Sequence, residues 1–259
     1  MVKNNLKLSL LFAFLGAIAT LTLIWVQGAA LAELLEGQEN APSVLVLNII
    51  SIVQQVVLTF ITSFIGLSLI RKVNLEVPFF RSLVDRDYSF KWAKNWIVYA
   101  AIGGSLGSLI MIILDKFVFI PLLPTLEETI APTSWGKSFL MSVIYGGIWE
   151  EILMRLFLMT LIIWIVTKLF RKQTNNIPSW IYWTGIIGAT LLFGAGHLPA
   201  TAQVFGELTT ALVARALILN GIVGIFFGYL FWKKGLIYAM IAHMFFHIAN
   251  FTVWMHIFN

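Results

Sequence analysis

The sequence predicts an all-α polytopic membrane helix bundle of about seven transmembrane helices. Three observations carry this. Of the 259 residues, 59% are hydrophobic and only 11% charged, against roughly 45–50% and 25% in soluble domains. Mean hydropathy is +0.91, so too little polar surface remains to cover a water-soluble globule. The apolar residues also fall in continuous runs long enough to cross a bilayer, about 20 residues each. Such runs are helices, because alternation with period two would mark barrel strands and lipid leaves backbone groups no other partners.

The runs place seven spans at 8–27, 44–70, 96–120, 138–167, 178–197, 209–232 and 235–257. We divide the chain into an N-terminal part, 1–137, with three spans and a basic cytoplasmic loop, and a core, 138–259, with four spans. The absence of cysteine excludes a disulfide framework, a thiolate metal site and a cysteine nucleophile. The net charge of +5 does not indicate nucleic acid, because the basic residues sit in small groups at helix ends. Lys3, Lys7, Arg71, Lys72, Arg81, Arg86, Lys91, Lys94, Lys168, Arg171, Lys172, Lys233 and Lys234 are 13 of the 17 Lys and Arg, and all fall on one side if the spans alternate. The other loops carry Glu33, Glu36, Glu39, Glu127, Glu128 and Glu207, with Lys137 nearly alone. Positive residues stay inside, which predicts a cell-membrane protein with a cytoplasmic N-terminus and an external C-terminus.

Two segments admit two readings. Lys3, Lys7, the apolar stretch and Ala30-Leu31-Ala32 have the form of a cleavable signal peptide, but the stretch exceeds a usual signal core, which favours a retained helix. Segment 73–95 mixes Phe79, Phe80, Phe90 and Trp92 with basic residues. It is either an interfacial helix on anionic lipid or a solvated basic loop with aromatic anchors. Trp25, Trp96, Trp135, Trp180, Trp232 and Trp254 lie near span ends, as an aromatic belt requires.

Ionisable residues inside a membrane are costly and mark function by default. Span 4 holds Glu150, Glu151 and Arg155; span 5 ends at Phe193 and His197; span 7 holds His243, His247 and Asn250 on one stripe. Glu151 and Arg155, four residues apart, are separated by about 40° around a helix and can pair, whereas Glu150 lies about 140° from Arg155. Glu151 then reads as a neutralised structural partner. Glu150, without an in-helix counter-charge, is a general-base candidate; the alternative pairs both acids with cations of neighbouring helices such as Arg215. Gly185, Gly188, Gly194 and Gly196 predict close packing of span 5, and Pro199 is expected to end its helix. A carboxylate base with neutral histidines and an amide suits activation of water and stabilisation of an oxyanion. His256, at the outer end, is given no role.

EExxxR at Glu150–Arg155, FxxxH at Phe193–His197 and the AHxxx motif at Ala242–His247 resemble the CPBP (CAAX protease and bacteriocin-processing, or Abi) family over residues 140–252. That family includes the type II CAAX prenyl proteases, intramembrane glutamic endopeptidases. The resemblance implies Glu150 as the water-activating glutamate and His197 as its partner on that water. It implies Glu151, Arg155 and Phe193 as supports, His243 with His247 or Asn250 as oxyanion stabilisers, and no metal or cofactor. His247 stands where the family has Asn or Asp, and Asn250 lies one turn further on. The implied partners are membrane lipids and a peptide or prenylated protein substrate. Rival readings are a scaffold or bacteriocin-immunity protein acting through a protein partner in the membrane, a proton-coupled transporter, and a zinc hydrolase.

Depth is the discordant expectation. At about 1.5 Å per residue from the cytoplasmic span ends, Glu150 lies at about 25 Å, His197 28 Å, Asn250 22 Å, His247 18 Å and His243 12 Å. Either span 7 begins deeper than drawn or Asn250 and His247 contribute more than His243.

Overall fold

The computed structural model describes residues 2–36, 41–123, 135–170 and 176–258. These residues are helical without strands. Seven helices are long and apolar enough to cross a membrane, and the chain is a multi-pass membrane protein. We label them α1 (Val2–Leu35), α2 (Val44–Val73), α4 (Lys94–Leu122), α5 (Trp135–Phe170), α6 (Ser179–Gly196), α8 (Thr210–Lys234) and α9 (Leu236–Ile257). Two short helices join them, α3 (Pro78–Val84) and α7 (Leu198–Phe205). Each expected span lies within or overlaps one of these long helices. Glu39, Glu127, Glu128, Arg171 and Lys172 lie outside the described residues.

The helices alternate in direction, so their termini collect at two ends. The end carrying Lys3, Lys7, Arg71, Lys72, Lys94, Lys168, Lys233 and Lys234 is the basic end. Contacts across it are specific. Asn4 donates to Asp85 at 3.0 Å, and the Tyr182 hydroxyl donates to the Val73 carbonyl at 3.0 Å. The turn at Gly235, with φ +98, lies against Pro78 and Glu76.

Segment 73–95 follows neither expected form. Leu75, Val77 and Phe80 are buried in the main core, and the Phe80 ring meets Phe12 of α1 at 4.9 Å. Proline in the first turn starts α3, where its missing N–H costs nothing. The segment is a plug over the basic end, held because its apolar side chains find a ready-made pocket between α1, α2 and α9. The Tyr238 hydroxyl on α9 accepts the Ala93 N–H at 2.9 Å and pins the far side of the plug. Tyr238→Phe leaves that donor unpaired and is expected to cost roughly 1–3 kcal/mol, measurable by unfolding in detergent; no change would mean the plug does not depend on this bond.

α9 touches α4, α5 and α8. Its approach to α4 is so close that a Cβ at Gly104 would collide with the Ala242 carbonyl, as small residues permit. The expected close packing of α6 is met at Gly185, against Ile163 and the Met159 carbonyl, and at Gly194, against Leu217 of α8, but Gly196 has open space. The α6 helix ends just before Pro199, as expected. α6 closes at Gly196, His197 caps it, and Pro199 sits in the first turn of α7, the position proline tolerates. Of the expected belt, Trp25, Trp135 and Trp180 are outwardly exposed. Trp232 instead stacks on Tyr182 at 4.7 Å, and Trp254 donates to the Ser105 carbonyl at 3.1 Å.

Candidate active site

α5 carries both glutamates and is not a regular α-helix there. Over Ser142–Glu150 and Ile152–Met159 it is wound wide, with i→i+5 hydrogen bonding. The same winding recurs at Asp115–Phe119 in α4 and Asn250–Trp254 in α9. Such turns gather at functional sites because they re-aim side chains. They also advance less per residue, so counting at the α-helical rise overstates the depth of Glu150.

Glu151 is fully buried and Arg155 nearly so. The expected pair forms, with Arg155 Nη1 at 3.1 Å from Glu151 Oε1, while Arg155 Nη2 donates to the Gly224 carbonyl at 3.1 Å. The guanidinium also lies over the rings of Phe193, at 5.7 Å, and Phe227, at 5.5 Å. A buried cation needs such partners. Phe193 thereby has a definite role that its place in a motif alone did not reveal.

The sequence did not disclose that Glu151 has a second partner. His243 Nδ1 lies 2.8 Å from Glu151 Oε1. A carboxylate beside an arginine is an acceptor, so Nδ1 carries the proton and donates. That leaves Nε2 facing Glu150 Oε2 across 3.9 Å, too long for a direct hydrogen bond. Arg155, Glu151, His243 and Glu150 thus form one polar chain across α5 and α9. His243 is level with the glutamates, which resolves the depth discrepancy: α9 begins deeper than the basic end of α5.

His197 is placed by its own helix. Its Nδ1 lies 2.9 Å from the Phe193 carbonyl, which can only accept, so Nδ1 is protonated and Nε2 is left as an acceptor. His247 stacks on His243 at 5.0 Å and 24°, and Phe227 stacks on the other face of His243 at 4.7 Å. Gly146 makes room for this arrangement, because a Cβ there would lie 2.7 Å from His247 Nε2 and 3.3 Å from His243 Nε2. Gly146→Ala is expected to displace both rings and lower kcat by about tenfold to a hundredfold with little change in unfolding midpoint; unchanged kcat would show that neither ring position matters.

Glu150, His197, His243, His247 and Asn250 all line one cavity of about 420 Å³. A second, of about 320 Å³ between α5 and α6, shares Glu150, His197, Tyr145 and Phe193 with the first and is otherwise walled by apolar residues such as Leu153, Met154 and Leu192. Glu150 and His197 therefore stand where the two chambers meet. Among the described residues no three His, Asp or Glu side chains converge as a metal-binding set.

Arg215 does not reach the glutamates. It forms a two-pronged pair with Asp115 of α4, Nε to Oδ1 at 2.7 Å and Nη2 to Oδ2 at 2.6 Å, and lines the cavity. Asp115 escaped the sequence reading although it interrupts an apolar run, the very signal used for Glu150. Tyr145 was missed as well and has no comparable sequence signal.

The fold and site define a polytopic membrane protein with a carboxylate–histidine centre in a cavity inside the bundle. Residues 132–249 match the family model described as Rce1-like, type II CAAX prenyl endopeptidase. The resemblance is thereby shown over the stretch that carries all three motifs, with Asn250 one residue beyond it. No curated protein and no solved structure gives a match.

Proposed function

We propose that the chain is an intramembrane endopeptidase that hydrolyses a peptide bond with water activated by Glu150. The observation that carries the reading is the convergence of Glu150, His197, His243, His247 and Asn250 on one cavity, within a family of endopeptidases. Water bound between Glu150 and the free Nε2 of His197 loses a proton to Glu150 as its oxygen attacks the scissile carbonyl. The C–N bond of the tetrahedral intermediate then breaks, and the proton on Glu150 passes to the leaving amine. His243 donates its Nδ1 proton to Glu151 and is held in place by it, so oxyanion stabilisation falls to His247 or Asn250 beside it. The apolar chamber suits a lipid-like or bulky apolar part of a membrane-associated or prenylated peptide. We assign residues 138–259 as the catalytic core and the basic end to the cytoplasm.

His247 tests the oxyanion assignment. His247→Asn restores the family's side chain and is expected to keep kcat within about tenfold, whereas His247→Ala lowers it by about 10²-fold or more. Equal activity in both would remove His247 from the mechanism. The deciding experiment is mass-resolved cleavage of a quenched farnesylated CAAX peptide and an unprenylated counterpart by purified protein, with and without chelator. Chelator-insensitive cleavage, absent in Glu150→Gln, supports the reading; chelator-sensitive cleavage makes it a metal hydrolase.

A further inference from the structure

Among the described residues the cavity is walled off towards one end of the bundle and not towards the other, and the charge distribution relates both ends to the membrane. Its lining residues reach the end of the bundle opposite the basic one. Ser142 lies within about two turns of the start of α5, Arg215 in the second turn of α8, and Asn250 about two turns from the end of α9. Towards the basic end the cavity stops at His243 and Val223. Beneath them Ile152, Leu156, Met159, Phe227, Leu230 and Leu236 form a continuous apolar layer at most 1% exposed. The plug of Leu75, Val77 and Phe80 lies below that layer. The closed end is the one that gathers most Lys and Arg, whereas the described loops and helix ends opposite carry Glu33, Glu36 and Glu207 with only Lys116 and Lys137. Basic residues stay on the cytoplasmic side.

We propose that the cavity opens on the outer face of the membrane and that its substrates are extended peptide tails presented from that face. The substrate half of this rests on the endopeptidase reading; the topological half stands without it. The depth of the site defines the substrate further. From Ile257 to His243 is about 20 Å of helix, and a fully extended chain needs about six residues to cover that distance. A folded loop does not reach Glu150. A flexible terminus or linker of at least that length does, with its apolar side chains towards the lipid-side chamber.

The absence of cysteine makes the test direct. Ser142→Cys places one thiol on the cavity wall, Met111→Cys is a second wall position, and Lys91→Cys marks the basic end. Intact cells producing each variant are treated with a membrane-impermeant maleimide before and after permeabilisation. The expected result is complete labelling of the wall positions in intact cells and labelling of Lys91→Cys only after permeabilisation. Wall positions that label only after permeabilisation, or not at all, overturn the proposal, as does Lys91→Cys labelling from outside. A parallel assay adds cleavable peptide to sealed vesicles of known sidedness. A protein that labels as expected but cuts nothing sinks the endopeptidase reading and keeps the outward opening. One that cuts only from the basic side sinks the opening and keeps the endopeptidase.

Discussion

Glu150→Gln is expected to lower kcat for peptide hydrolysis by about 10³-fold while leaving the unfolding midpoint unchanged. The substitution keeps the size of the side chain and removes its capacity to take a proton. Glu150 makes no close hydrogen bond to another side chain, since His243 Nε2 stands 3.9 Å away, and it is 16% exposed to the cavity. An amide in that position stays solvated and strands no buried charge. Loss of activity therefore reads as loss of the base. Single-turnover cleavage alongside detergent unfolding separates the two quantities, and hydrolysis within tenfold of the native rate would remove Glu150 from the mechanism.

Arg155→Met should behave in the opposite way and destabilise the protein by about 3–5 kcal/mol. The guanidinium is 3% exposed and its partner carboxylate 0%, so removing it leaves Glu151 charged in a dry environment with only the His243 Nδ1–H as a partner. Adding Glu151→Gln to Arg155→Met removes the stranded charge and is expected to recover most of the stability, because residues in one network do not act additively. Catalysis stays impaired in the double variant, since an amide holds the His243 Nδ1–H less firmly than a carboxylate does. If Arg155→Met unfolds at the native midpoint, the pair is not a structural element of the bundle.

The parts of the molecule that were legible in the sequence are those that depend on one helix at a time. Long apolar runs delimit seven spans because the lipid requirement acts on each segment alone, and the Glu151–Arg155 pair follows from the pitch of one helix. Contacts between helices were not legible. Arg215 is far nearer in the chain to Glu207 than to Asp115, yet its partner is Asp115 on α4, which only packing reveals. The second bond of Glu151, to His243, is of the same kind. Depth failed for a local reason, because uniform counting assumes equal starting levels and α-helical rise, whereas α9 starts deep and α5 is wound wide. Pro199 was read as a helix end and follows one, but that it also opens a second short helix was not legible, because the breaker signal is the same for both.

The apolar layer beneath His243 has an electrical consequence. Between the site and the basic end, α5 from Leu156 to Thr167, α6 from Ile181 to Phe193, α8 from Val223 to Trp232 and α9 from Leu236 to Ala242 carry no Asp, Glu, His, Lys or Arg. A proton on Glu150 has no relay across that distance. Among the described helices the centre is therefore cut off from the basic end by a layer without Asp, Glu, His, Lys or Arg side chains. A chain that holds several ionisable groups deep in the bilayer is thereby insulated against dissipating the proton gradient, and vesicles containing it are expected to hold a pH difference as long as empty ones.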